Sequence, residues 1–140
     1  MLSKRDIYQF ANQKKLCVIS TISSGGKPES ALVGFAITED LELVFDTVAK
    51  SRKYKNIQDY PNVSVVIGWE NEITLQYEGE ARVLRESIRD DKYREIYYTV
   101  FHEGRHRTET WTDLAHIIIK PRWIRYCNFN KPQIIEEIFF

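Results

Sequence analysis

Residues 73–84 read ITLQYEGEARVL, and this stretch has the clearest strand pattern in the chain. Apolar or small residues occupy every second position from Leu75 to Val83, and polar residues occupy the positions between them. A period of two is typical of a β-strand that buries one face and exposes the other. The stretch therefore predicts a long strand and favours a protein built mainly from strands.

Further strand-like segments lie on both sides of this stretch, and several of them are connected by short turns. We predict these strands at residues 16–22, 29–38, 41–47, 63–69 and 114–129. The last is expected to bend at Pro121, because proline cannot donate to a strand ladder. Connections this short require antiparallel neighbours. Residues 16–22, 31–37 and 63–67 are apolar on both strand faces, so both of these faces must be covered. The sequence thus predicts a mainly β fold, a six-stranded antiparallel β-barrel with flanking helices, covered by those helices or by a second subunit.

Three helices are predicted from capping residues and apolar spacing. The first spans residues 3–14, the second follows Ser51, and the third opens at Ser87. Residues 102–113 are polar and irregular, so no regular element is predicted there.

Composition and charge bound the possible functions. The chain has 140 residues, about the size of one domain, and we expect a single domain over residues 1–140. Twenty Lys and Arg balance twenty Asp and Glu, so neither a nucleic acid nor an anionic membrane is an expected partner. No apolar run is long enough to span a membrane, and the polar start is unlike a signal peptide. Cys17 and Cys127 lack metal-ligand spacing, so we expect no metal and a reduced, cytoplasmic protein.

The segment FDTVAKSRK, which leads into the second predicted helix, is the most informative for chemistry. A strand ends in Thr47, a short loop carries Lys50, and a helix begins at Ser51. Free backbone N–H groups and the positive dipole end at a helix start favour an anion. Arg52 can grip two phosphate oxygens, while Lys53 supplies a point charge. The segment is therefore a candidate phosphate site; the alternative is an exposed, capped helix with a solvated basic face.

Several segments in a fixed order match one known family. They are residues 16–22, GKP at 26–28 leading into 31–37, the strand 41–47, the tripeptide SRK at 51–53, and LQYEGEA at 75–81. Their order resembles the pyridoxine 5′-phosphate oxidase (pyridoxamine 5′-phosphate oxidase-like) family and its general-stress-protein relatives, the FMN-binding split β-barrels. The resemblance covers about residues 5–128, and it rests on the ordered set rather than on a single motif.

The resemblance implies an obligate homodimer with FMN sites at the subunit interface and a small-molecule substrate. It implies that the backbone of residues 31–35 faces the flavin ring and that the end of the next strand lies near the ribityl chain and phosphate. It further implies that Arg52 and Lys53 hold the phosphate and that Gln76, or else Thr74, donates to the flavin. The cofactor-binding residues implied in this way are Ala31, Leu32, Val33, Gly34, Phe35, Asp46, Thr47, Lys50, Ser51, Arg52, Lys53 and Gln76.

Two departures from the family pattern limit what the resemblance implies. Ala31 and Ala36 stand where the vitamin-B6 enzymes carry basic residues that also hold the FMN phosphate, so neutralisation rests on the basic residues near the helix start. Fewer cations predict weaker binding, since each charge-assisted hydrogen bond contributes about 1.5–3 kcal/mol. The C-terminal pattern with which the vitamin-B6 enzymes hold substrate phosphate is also absent, which argues against pyridoxine phosphate as the substrate.

These observations predict an FMN-dependent oxidoreductase acting on an unidentified small molecule, with the flavin carrying the redox chemistry. Two alternatives stay open: a deazaflavin-dependent reductase of the same fold, and a non-catalytic flavin- or haem-binding stress-response dimer. No catalytic residue is assigned, because His102, His106 and His116 are proton donors by residue type only, and His116 lies in an apolar strand. Trp123 and Arg125 fit either interface packing or contact with a ligand.

Overall fold

A curled antiparallel sheet is the largest part of the computed structural model, which describes all residues from Met1 to Phe140. Its strands are β1 (Leu16–Ile22), β2 (Pro28–Gly34), β3 (Ala36–Ile37), β4 (Leu43–Val48), β5 (Asn62–Ile67), β6 (Ile73–Val83), β7 (Leu114–Asn128) and β8 (Ile134–Phe139). The flanking helices are α1 (Lys4–Asn12), α2 (Arg52–Asp59), α3 (Ile88–Val100) and α4 (His102–Thr110). The hydroxyls of Ser3, Ser51 and Ser87 cap the first three helices, as their positions in the sequence predict.

The strand order is β2-β1-β5-β6-β7-β4-β3, with β8 added to β7, and every pairing is antiparallel. β6 pairs with β5 on one side and with β7 on the other, so the stretch that predicts the fold lies within the sheet. Along β6, Leu75 and Tyr77 are buried, whereas Gln76 and Glu78 are exposed. The predicted fold class, a mainly β antiparallel barrel with flanking helices, is confirmed, although the sheet has eight strands where six are predicted.

The inner face of the curled sheet holds the main apolar core, which α1 covers through Ile7 and Ala11. The fully buried Tyr77 lies in this core, and its hydroxyl donates to the carbonyl oxygens of Leu41 (2.8 Å) and Ile119 (3.1 Å). A buried phenol requires such partners, because an unpaired polar group in the core is costly. On the opposite, outer face, α3 packs over a second cluster of Val44, Leu84, Tyr93, Tyr97 and Ile118.

Two differences from the predicted strands lie near the ends of the sheet. The strand predicted at 29–38 is interrupted at Phe35, whose N–H donates to the carbonyl oxygen of Lys15 (3.0 Å) outside the ladder, so β3 is a separate short strand. β8 is an additional strand, and the sequence does not predict it because its residues, IIEEIF, do not alternate.

The expected bend at Pro121 takes the form of a bulge, and β7 continues through it. The register between β6 and β7 shifts between Glu78 and Gly79, opposite the proline. Gly79 is required at this point, because a Cβ there would collide with the carbonyl oxygen of Lys120.

Residues 102–110 form α4, although the sequence predicts no regular element there. The helix has no side-chain cap and no apolar stripe, so the usual sequence signals are missing. Packing stabilises it instead: the buried Gly104 lies close to the rings of Tyr97 and Tyr98. None of the helices is long and apolar enough to cross a membrane.

Candidate functional site

The start of α2 lies against the end of β4, as the sequence predicts. The Oγ of Ser51 accepts a hydrogen bond from the backbone N–H of Tyr54 (3.3 Å) and lies 2.9 Å from Oγ1 of Thr47. The first backbone N–H groups of a helix have no partner within the helix, so this end favours an anion. Thr47 and Ser51, two of the predicted site residues, are therefore brought together at the helix start.

A cavity of about 220 Å³ lies beside this helix start, and we call it the α2 cavity. Its lining residues are Ile19, Thr21, Glu29, Ser30, Ala31, Arg52 and Lys53. The side chain of Arg52 is 75% exposed, and Lys53 is half-buried. The two predicted phosphate-holding residues therefore share one cavity with Ala31, whereas Lys50 is exposed and does not line it.

A carboxylate that is not among the predicted site residues also lines the α2 cavity. Oε2 of Glu29 accepts from Nη1 of Arg52 (2.9 Å), and its Oε1 accepts from Nδ2 of Asn56 (2.8 Å). The buried Asn56 also donates to Oγ1 of Thr21 (3.0 Å). Alternation along β2 places Glu29 on the same face as Ala31, and this is the sequence signal that points to it.

β2 lies at the free edge of the sheet, because it pairs only with β1. The side chains of Val33 and Phe35 are buried in the core, whereas Leu32 points outward and is 60% exposed. Gly34 lies beneath an aromatic ring: a Cβ on Gly34 would lie 2.7 Å from Cζ of Phe101. The strand predicted to face the flavin thus offers an unpaired backbone edge rather than a row of side chains.

Asp46 and its neighbour Thr47 point to opposite faces of β4. Thr47 faces the start of α2, whereas Oδ2 of Asp46 accepts from Nη2 (2.8 Å) and Nε (3.2 Å) of Arg107 on the outer face. The same guanidinium donates to the hydroxyl of Tyr97 (3.2 Å). Asp46 therefore anchors α4 to the sheet, and the structure does not bring its carboxylate to the α2 cavity.

Gln76 lies on the outer face of the sheet, away from the α2 cavity. Strand register places it in a row, here called the outer row, that consists of Leu32, Val18, Val66, Gln76, Arg125 and Glu137. Two strands, β1 and β5, separate β6 from β2 in the sheet. Within one chain, the structure therefore does not bring Gln76 to Arg52.

Glu137 of β8 holds the two residues at the end of β7 whose role the sequence leaves open. Nε1 of Trp123 donates to its Oε2 (2.9 Å), and Nη2 and Nε of Arg125 donate to its Oε1 (2.7 and 3.2 Å). Hydrogen bonds from Trp123 and Arg125 lower the pKa of Glu137. Both side chains are thus held by a partner within the chain, on a strand that the sequence does not predict.

His116 is buried on the outer side of β7, where the rings of Tyr97 and Tyr98 approach it edge-on. Its Nε2 has no hydrogen-bond partner, and burial lowers the pKa of His116 to about 4, so the ring is neutral at pH 7. Together with Trp111 it lines a second cavity of about 530 Å³. The other two histidines are exposed on α4.

Comparison with known families gives one match. The family described as Pyridoxamine 5′-phosphate oxidase matches the chain over residues 4–128. This range contains every predicted cofactor-binding residue and every element except β8. No curated protein matches the chain.

Solved structures share the fold at low sequence identity. A heme binding protein from Mycobacterium smegmatis has a TM-score of 0.83 at 12% identity, over 99% of this chain and 59% of that protein, so the chain spans about three fifths of its length. A pyridoxamine 5′-phosphate oxidase-related, FMN binding protein from Nostoc punctiforme has a TM-score of 0.68 at 12% identity, over 100% and 97% of the two chains. General Stress Protein 26 from Bacillus anthracis has a TM-score of 0.68 at 24% identity, over 96% and 98%. At these identities the likeness shows the fold alone.

Proposed function

Because the chain belongs to the pyridoxamine 5′-phosphate oxidase family, we propose that it binds FMN and acts as an FMN-dependent oxidoreductase on an unidentified small molecule. The observation that carries this proposal is the α2 cavity, where Arg52 and Lys53 meet the edge strand β2. The structurally similar protein from Nostoc punctiforme is described as FMN binding, which agrees with the proposal.

The residues around the α2 cavity suit a phosphate monoester. Arg52 presents a planar guanidinium that can donate two parallel hydrogen bonds, and Lys53 supplies a compact positive charge. The hydroxyl of Ser51 and the free N–H groups at the start of α2 add further donors. Each charge-assisted hydrogen bond contributes about 1.5–3 kcal/mol, so two cations and a helix start are enough to hold a phosphate.

FMN, when bound, supplies the hydride chemistry, while the chain binds and orients it. We propose that the backbone of residues 31–35 faces the flavin ring, because β2 has no partner along its outer edge. Val33 and Phe35 are anchored in the core and hold this edge in place. No side chain of the α2 cavity is assigned a proton-transfer role.

A second copy of the chain is proposed to complete the site. Gln76 lies in the outer row and cannot donate to a flavin in the α2 cavity of its own chain. The same row exposes Leu32 and Val66, 60% and 40% of whose surfaces meet solvent, and burying such surface contributes about 25 cal/mol per Å². We expect light scattering to give about twice the chain mass of 16.6 kDa. A monomer at micromolar concentration contradicts this part of the proposal.

A flavin titration of matched variants tests the phosphate site. We expect the double change Arg52→Ala and Lys53→Ala to weaken FMN binding at least tenfold, about 1.4 kcal/mol, because both cations that face the phosphate are lost. Riboflavin, which lacks the phosphate, is expected to bind both proteins equally. Lys55→Ala is the control, since Lys55 is exposed on the same helix and does not line the cavity. Unchanged FMN affinity in the double variant contradicts the assignment.

Turnover is tested separately from binding. With FMN bound, NADH or NADPH is expected to bleach the flavin absorbance near 450 nm under anaerobic conditions, and oxygen or another acceptor to restore it. Flavin that binds but is reduced by neither nucleotide favours the alternative of a non-catalytic flavin-binding dimer.

His116 favours a second candidate function, haem binding. His116 lines a cavity of about 530 Å³, and a neutral imidazole with a buried, unpartnered Nε2 has the chemistry of a haem ligand. The structurally similar protein from Mycobacterium smegmatis is described as heme binding. A haemin titration tests this candidate. A Soret shift that His116→Gln removes supports it, whereas a shift that the variant retains, or no shift, contradicts it.

A further inference from the structure

We propose that the carboxylate of Glu29 occupies, on Arg52, the position that a ligand phosphate would take, and that it therefore opposes phosphate binding in the α2 cavity. The inference rests on the FMN site proposed above, and it makes Glu29 the residue that sets the selectivity of this site between phosphorylated and unphosphorylated flavins.

Glu29 is held more firmly than its partner. Its side chain is 19% exposed against 75% for Arg52, and its Oε1 accepts from the buried Asn56, which is fixed in turn by Thr21. Arg52 is therefore the exposed member of the pair, and Glu29 is the member that a second hydrogen bond anchors. If the guanidinium turns towards a ligand, the hydrogen bond from Asn56 still holds the carboxylate at the cavity wall.

The charges around the cavity determine how the Glu29 carboxylate affects the binding of a phosphate. Arg52 and Lys53 carry two positive charges and Glu29 one negative charge, so the lining residues have a net charge of +1. A phosphate monoester carries about −1.5 to −2 at pH 7. A phosphate that binds Arg52 must both replace Glu29 as its hydrogen-bond partner and lie beside a like charge, so FMN binds more weakly than the two cations alone allow.

A positioning role for Glu29 makes the opposite prediction. If the carboxylate mainly orients the guanidinium for phosphate, its removal frees a flexible side chain and weakens FMN binding. The sign of the effect therefore separates the two roles, and riboflavin reports any general loss of the flavin site.

The test is the affinity of Glu29→Gln for FMN and for riboflavin, measured by quenching of flavin fluorescence. Glutamine keeps an oxygen that can accept from Asn56 but removes the charge. We expect Glu29→Gln to bind FMN at least fivefold more tightly than the wild type does. We expect its affinity for riboflavin to lie within twofold of the wild-type value. Glu78→Gln is the matched control, because Glu78 is exposed on β6 and does not line the cavity. If Glu29→Gln folds poorly, Glu29→Ala replaces it, and this variant is also expected to bind FMN more tightly than the wild type.

The outcomes separate this inference from the function on which it rests. Wild-type protein that binds FMN while both Glu29 variants bind it equally or more weakly overturns the inference and leaves the proposed function intact. Wild-type and variant proteins that bind neither flavin overturn the proposed function and the inference together.

Discussion

Two arginine–carboxylate pairs in this protein have nearly the same donor–acceptor distance but differ in burial and in the number of hydrogen bonds. At the α2 cavity, Arg52 makes a single hydrogen bond to Glu29 (2.9 Å) and is 75% exposed. Beside α3, Arg82 makes two parallel hydrogen bonds to Asp90 (2.8 Å each), and the carboxylate, only 3% exposed, also accepts from the N–H of Arg85 (2.6 Å). Distance alone does not distinguish them, whereas geometry and burial do.

The difference separates a pair that holds the fold from a pair that can exchange partners. The hydrogen bonds from Arg82 lower the pKa of Asp90 well below its usual range, which is the sign of a carboxylate stabilised by its surroundings. An exposed, single hydrogen bond like that of Arg52 contributes little and can be replaced by a ligand. Cations that serve a ligand site are therefore better identified by exposure than by the presence of a partner.

The largest expected effect is on the buried pair. We expect Asp90→Ala to lower the free energy of unfolding by about 3 kcal/mol, because Arg82 and the N–H of Arg85 lose their partner in a mostly buried place. Asp91→Ala is the control, since Asp91 is 60% exposed and its pair with Arg94 is expected to contribute less than about 1 kcal/mol. Urea denaturation measures both, and equal losses in the two variants show that burial of Asp90 adds nothing to the stability of its pair with Arg82.

The same pair predicts a pH dependence. The pKa of Asp90 in the folded protein lies below the value of about 3.9 expected in the unfolded chain. Its contribution to stability is therefore present above about pH 4 and is lost as the pH falls below that value. We expect the stability gap between wild type and Asp90→Ala to narrow between pH 5 and pH 2.5. A gap that is constant over this range shows that the ionised carboxylate is not what stabilises the fold.

The smallest expected effect is on the exchangeable pair. We expect Glu29→Gln to change the free energy of unfolding by less than about 1 kcal/mol, because Arg52 is solvated and the hydrogen bond from Asn56 can persist. A thermal melt without ligand measures it. A loss of unfolding free energy as large as that of Asp90→Ala shows that Glu29 stabilises the fold and contradicts the expectation that its pair with Arg52 can exchange partners.

Local sequence patterns predict the elements whose stability is local. The alternation at 73–84 predicts β6, and the serine caps at Ser3, Ser51 and Ser87 predict the helix starts, since in each case neighbouring residues supply the cause. α4 and β8 could not be predicted this way. α4 is stabilised by Arg107 on Asp46, distant in sequence, and β8 by pairing with β7.

The candidate site divides in the same way. Ser51, Arg52 and Lys53 could be predicted because a helix start is a local feature that supplies its own donors. The hydrogen bonds of Asp46 to Arg107 and of Glu29 to Arg52 and Asn56 could not, because they depend on partners in other elements. These contacts are tertiary, and no spacing within the chain encodes them. Alternation along β2 indicates only that Glu29 shares a strand face with Ala31.

Equilibrium dialysis of the purified protein against FMN, combined with light scattering, tests both FMN binding and the dimer. We expect saturation at one FMN per chain on a particle with twice the chain mass. We also expect the Arg52→Ala, Lys53→Ala variant to lose that FMN at the same free concentration. A protein that stays monomeric and retains no FMN, or one whose FMN is indifferent to both substitutions, contradicts these expectations.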